Sequence, residues 1–218
     1  MLIFDCIKSI YIRFDKSIDE PDITTEDFIV RMEYCNAAIE KWENEMGIEW
    51  KELSRTLSGT LVNGICNDNT TTLADFKRPA GFLRIGSDKY QYVRPENVEK
   101  EQRLDELKKI YTVTGAKGTY SINVYPAISA SFTVDYRKEA DKFSTGEETT
   151  DIEMSDPSFI IHDVLSQLYL DDDNGTQASV ESQIASAKSD AMRLANETDP
   201  FNNNNGLPED ENFDGFGK

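Results

Sequence analysis

The feature that most constrains this chain is a change in the period of its apolar residues near Leu57. Before it, Phe28, Met32, Cys35, Ile39, Trp42 and Met46 recur in alternating steps of four and three, which lays one continuous seam along a helix over residues 24–46. After it, the apolar residues fall in short runs punctuated by Gly, Asn and Asp, the pattern of strands and turns. Helical spacing returns beyond Pro157 with Ile160, Ile161, Val164, Leu165 and Leu168. The order helix, helix, several strands, helix, helix is that of an α+β fold. Terminal α-helices should form a helical core (residues 1–56 and 151–196) with an inserted antiparallel β-sheet or small sandwich (57–150). An extended C-terminal arm (197–218) follows.

Local signals refine this plan. Residues 1–16 read as a short amphipathic helix burying Leu2, Ile3, Ile7, Ile10 and Phe14. Thr24, with Asp27 three residues later, approximates a capping box for the second helix, and Gly47 is its expected terminator. Thr60, Val62, Ile65 and Cys66 suggest a strand ended by an Asn67-Asp68-Asn69 turn. Two more strands flank Gly86-Ser87-Asp88, a hairpin surrounds Gly115 to Gly118, and Ser131 to Arg137 supplies another strand. Residues 96–106 suit either a short polar helix or a loop, and Glu139 to Thr150 reads as a polar connection.

The last folded piece is a helical hairpin. Asp156 is a natural N-cap and Pro157 fits the first helical position, where its missing N–H costs nothing. The helix should stop near Leu170, with a turn over Asp171 to Gly175 in which Gly175 supplies backbone freedom and Thr176 offers a second cap. Val180, Ile184, Ala187, Ala191 and Leu194 then mark a narrow apolar stripe, rich in small residues and suited to close packing in a bundle or against another subunit. From about Asn196 the composition turns polar and acidic, with too few apolar residues to offset the entropy of ordering. Phe201, Phe213 and Phe216 stand in this tail as candidate anchors for a groove on a partner.

The formal charge of -18 argues against gripping nucleic acid through its phosphates, which takes clustered Lys and Arg, and favours basic partners. Lys77, Arg78, Arg84, Lys89 and Arg94 are the exception, a run of cations that reads as a solvated face or as a contact for an acidic neighbour. Cys6, Cys35 and Cys66 are odd in number and widely spaced, so neither a disulfide framework nor a zinc site is indicated, and reduced thiols made in a cytoplasm are expected. No apolar run approaches the roughly 20 residues needed to span a bilayer. The first residues lack a basic leader and cleavage site.

Catalytic chemistry finds little support. Asp172, Asn174, Gly175 and Glu181 take offsets three, five, six and twelve of a calcium loop, but Leu170 stands at the first, so a solvated turn is expected. His162 is the single histidine and has no nucleophile at a suggestive spacing, so a structural or exposed histidine is expected. Gly115 to Gly118 lacks the Lys-Ser/Thr and helix of a phosphate loop and reads as a turn.

Several phrases together resemble the head-tail adaptor, or connector, proteins of tailed bacteriophages. They are Asn36-Ala37-Ala38-Ile39-Glu40-Lys41-Trp42, Tyr111-Thr112-Val113-Thr114-Gly115, Phe132-Thr133-Val134-Asp135-Tyr136, and Asp156-Pro157-Ser158-Phe159-Ile160-Ile161 opening the helical hairpin. The resemblance covers roughly residues 1–196 and rests on packing and turn patterns. It implies a virion structural protein without enzymatic activity, cofactor or metal. Such a subunit would sit in the neck as a homo-oligomeric ring, a dodecamer, bound to the portal protein above and a tail, stopper or terminator protein below, with DNA passing through. The long Asn-rich acidic tail departs from the family pattern. The alternatives are a tail-terminator or stopper subunit, a cytoplasmic binding module with an acidic tail, and a metal-dependent enzyme built on the 171–181 turn.

Overall fold

The computed structural model describes residues 1–45, 47–67, 75–116, 119–146 and 149–197. The chain is α+β, with five helices and seven strands among these residues. Its described residues divide into two compact units, one formed by Met1–Glu52 and residues 140–197, the other by Leu53–Glu139.

The first unit is helical. α1 (Ile3–Phe14) buries Ile3, Cys6, Ile7 and Ile10, and α2 (Glu26–Glu43) buries Phe28, Met32, Cys35, Ala38, Ile39 and Trp42, which is the expected seam as far as Met46, outside the described residues. The N-cap of α2 is Thr25 and not Thr24: the Thr25 hydroxyl accepts from the Phe28 N–H at 3.3 Å, while Thr24 donates to the Asp22 carboxylate at 2.7 Å. Arg31 is 5% exposed, pairs with Asp15 at 2.5 and 3.2 Å, and lies 3.7 Å over the Tyr11 ring, so its charge is met from both faces. The helix stops before the expected Gly47: its C-cap is Asn44, whose N–H bonds the Glu40 carbonyl, and Gly47 takes φ +79° in the connection that follows. Trp50 then folds back, stacking on Trp42 at 5.3 Å with its indole N–H on the Trp42 carbonyl.

α4 (Ser158–Asp171) is the centre of this unit, and α1, α2 and α5 (Gly175–Glu197) all pack on it. Asp156 opens it as expected, its carboxylate accepting from the Ser158 N–H at 3.1 Å and from Lys188 at 3.0 Å. Burial acts to raise the pKa of that carboxyl, but the hydrogen bonds from Ser158 and Lys188 prevail and hold it below its ordinary value. The turn between α4 and α5 departs from expectation. Asp173, not Gly175, adopts the left-handed conformation with φ +55°, and the Asn174 carboxamide oxygen caps α5 by accepting from the Gln177 N–H at 3.3 Å. The segment expected to be a polar connection is partly core, since Ala140 and Phe143 are buried and Asn36 bonds both the N–H and the carbonyl of Phe143.

The second unit is a seven-stranded sheet, β1 (Ser54–Thr60), β2 (Ile65–Asn67), β3 (Phe76–Ile85), β4 (Asp88–Tyr92), β5 (Ile110–Thr114), β6 (Ser121–Tyr125) and β7 (Ser131–Lys138), in spatial order β1-β7-β3-β4-β5-β6-β2. It is mixed rather than antiparallel throughout: β4 and β5 run parallel, because α3 (Val98–Leu104) carries the chain back across the unit between them. The single strand expected from Thr60 to Cys66 is two, broken at Asn63 (φ +52°) and Gly64 (φ +80°). Those two strands are the first and last of the spatial order, yet four residues join them, so the sheet must curl until its edges meet. A Cβ placed on Gly59 of β1 would stand 3.6 Å from Cys66 Sγ of β2, a direct measure of that approach. Leu57, Leu83, Tyr90, Tyr111, Ile122, Val124, Phe132 and Val134 fill the inside.

Candidate cationic cleft and buried histidine network

Strand alternation decides what the β unit shows to solvent. Leu57, Val134, Leu83 and Tyr90 stand in register across β1, β7, β3 and β4 and all point into the core. One residue along, Ser58, Thr133, Arg84 and Lys89 are again in register, and the period of two places them on the opposite face. Thr60 pairs with Ser131 on one side of this row and Thr56 with Asp135 on the other. The face is therefore a band of hydroxyls leading to two cations.

An open cleft of about 540 Å³ lies over this band, lined by Ser58, Gly59, Thr60, Arg84, Gly86, Ser131, Phe132 and Thr133. Gly59 and Phe132, paired between the outward-facing residues, line it with little side chain, since Gly59 has none and the Phe132 ring is buried in the core. Asp135 anchors the cleft wall, accepting from Thr56 Oγ1 at 2.7 Å and from Arg84 at 3.2 Å. Arg84 nevertheless stays 49% exposed at its side chain, and the Lys89 ammonium rests 5.7 Å from the Phe82 ring. Such a surface suits carboxylates, which both cations and hydroxyls can bond.

Of the five cations singled out in the sequence, the fold brings Arg84 and Lys89 side by side. Lys77 and Arg78 lie toward the other end of β3, Arg78 in register with Arg137, and Arg94 follows β4 at the start of a single 3₁₀ turn. Phe201, Phe213 and Phe216 lie outside the described residues. The hydroxyls of Ser58, Thr60, Ser131 and Thr133 went unnoticed in the sequence, although alternation in Ser-Arg-Thr-Leu-Ser-Gly-Thr and Ser-Phe-Thr-Val-Asp places them on one face.

The helical unit holds a second polar assembly. His162 of α4 is 9% exposed, with Nδ1 2.5 Å from Glu181 Oε2 of α5 and Nε2 3.3 Å from an Arg13 nitrogen of α1. A guanidinium can only donate, so Nε2 accepts and the ring proton sits on Nδ1, donated to Glu181. Gln177 donates to the other Glu181 oxygen at 3.2 Å. The acid-histidine half of a catalytic triad is thus present, but Arg13 stands where a nucleophile would have to be, and the ring ties three helices together. Both Glu181 oxygens are engaged away from the 171–175 turn, which removes the twelfth ligand of the calcium reading. Among the described residues no group of three or more His, Cys, Asp or Glu could hold a metal.

Cys6 and Cys35 are buried free thiols and Cys66 a half-buried one. A hydrogen bond with Cys6, together with burial, pushes the Cys35 thiol well above its ordinary pKa. No helix among the described residues is long and apolar enough to cross a membrane. In comparisons with known proteins, no family model matches this chain and no curated protein matches it.

Proposed function

We infer that the chain is a structural assembly subunit, and that its role is that of a head-tail adaptor: a virion protein that oligomerises into a ring and joins the portal to the tail without catalysis. The observation that carries this reading is on α5. Inside the unit the helix packs through Ala178, Glu181, Ala185, Met192 and Asn196. The apolar stripe of Val180, Ile184, Ala187, Ala191 and Leu194 lies on another side of the helix, where Val180 is 46% exposed, Ala187 and Ala191 are exposed and Ile184 is half-buried. Steps of four, three, four and three are the spacing of a helix seam that receives another helix. A 23-residue helix that buries one face and carries a second, largely exposed apolar stripe suits a neighbour. On the resemblance to connector proteins, that neighbour would be a sister subunit or the portal.

The test is the mass of the purified protein together with negative-stain images, alone and after adding portal protein. Rings, or monomers that form rings on the portal, are the expected result. A Val180→Ser/Leu194→Ser variant should melt within a few degrees of the parent and lose the assembly. A strict monomer that ignores the portal overturns the reading.

A further inference from the structure

Charge is divided between the two units. Residues 53–139 hold thirteen Lys and Arg against ten Asp and Glu, whereas the remainder holds ten against thirty-one. In a chain of net charge -18 the β unit is thus the part where cations prevail. On it, Arg84 and Lys89 stand beside an open hydroxyl-lined cleft.

We propose that this cleft seats the C-terminal segment of the same chain, residues 198–218. Two properties of the segment match the site. Its charged residues are Asp199, Glu209, Asp210, Glu211 and Asp214 against Lys218, so it is drawn to a face where cations prevail and repelled by the acidic remainder. Asn202 to Asn205 and Asn212 carry amides that both donate to and accept from the hydroxyls of Ser58, Thr60, Ser131 and Thr133. The cleft volume of about 540 Å³ takes a short extended stretch of chain and not a folded partner.

Reach does not limit the arrangement. Helix α5 ends at Glu197, and the 21 residues after it span up to roughly 70 Å when extended. A unit the size of residues 53–139 has a radius of gyration of only about 12 Å. Tethering raises the effective concentration of the segment toward the millimolar range, which favours the chain's own cleft over a neighbour's. The inference goes beyond the assembly reading, since it concerns a single chain and holds whether or not that chain forms rings.

Photo-cross-linking tests it in the full chain. A benzoylphenylalanine in place of Phe213 should form a cross-link within one chain to peptides containing Ser58–Thr60 or Ser131–Thr133. Arg84→Glu/Lys89→Glu should cut the yield several-fold, as should several hundred millimolar salt. Glu209→Gln/Asp210→Asn/Glu211→Gln/Asp214→Asn alters only the tail, leaves residues 1–197 untouched, and should cut it to the same extent. Cross-links found only elsewhere, only between chains, or at unchanged yield in the tail variant overturn the proposal.

Discussion

Thr24 and Thr25 look interchangeable on paper, and backbone geometry separates them. Thr25 has the extended conformation of an N-cap and accepts from the Phe28 N–H, whereas the Thr24 hydroxyl is spent on Asp22. Thr25→Ala should cost about 1 kcal/mol in chemical denaturation and Thr24→Ala clearly less. Tyr136 gives a pH prediction. Burial pushes its pKa up to about 12, aided by the charge of Asp75 and by the hydrogen bond it donates to that carboxylate at 3.0 Å. A phenol harder to ionise folded than unfolded contributes stability that is intact below its unfolded pKa near 10 and is lost as the pH rises toward 12. Alkaline melts should therefore fall less steeply for Tyr136→Phe than for the parent, and identical slopes would refute the assignment. Glu181→Ala should destabilise by about 1–3 kcal/mol, because it strands the buried His162 N–H. Such pairings across long sequence distances were not legible in the chain: His162 and Glu181 lie on different helices, and no local pattern announces that they meet.

Elements were more legible than their edges. The seam of α2, the opening of α4 at Asp156 and the strands around Gly86 and Gly115 follow from spacing and turn chemistry, which act within a few residues. What spacing could not supply was pairing. The parallel contact of β4 with β5 depends on α3, in a stretch that the sequence left open between helix and loop. The break at Asn63 and Gly64 was hidden because Val62, Ile65 and Cys66 continue a strand-like composition across it. On α5 the apolar stripe was visible, but the packed face runs through Glu181 and Asn196, polar residues that burial alone would not nominate. Asn196 earns its place by accepting from the Lys51 N–H at 3.0 Å and donating to the Glu49 carbonyl at 2.9 Å. Gly64→Ala tests the turn. Its φ is left-handed and a Cβ would stand 2.9 Å from the Ala127 backbone, so a loss of at least about 1–2 kcal/mol is expected in denaturant titration.

For the molecule as a whole, the helical unit is assembled from both ends of the sequence. Ile3 donates its N–H to the Thr150 carbonyl and Ile152 returns one to Met1, so the first residues are held by a segment some 150 positions away. The same holds in the β unit, where all seven residues of β1 pair with β7. Neither unit can therefore close while the chain is still short. During synthesis, Ile3, Cys6, Ile7 and Ile10 of α1 cannot be fully covered until α4 has left the ribosome, and β1 must wait for Arg137. All of residues 53–139 are made before α4 and α5, so the β unit can close before the helical unit, and α1 has the longest wait for its partner.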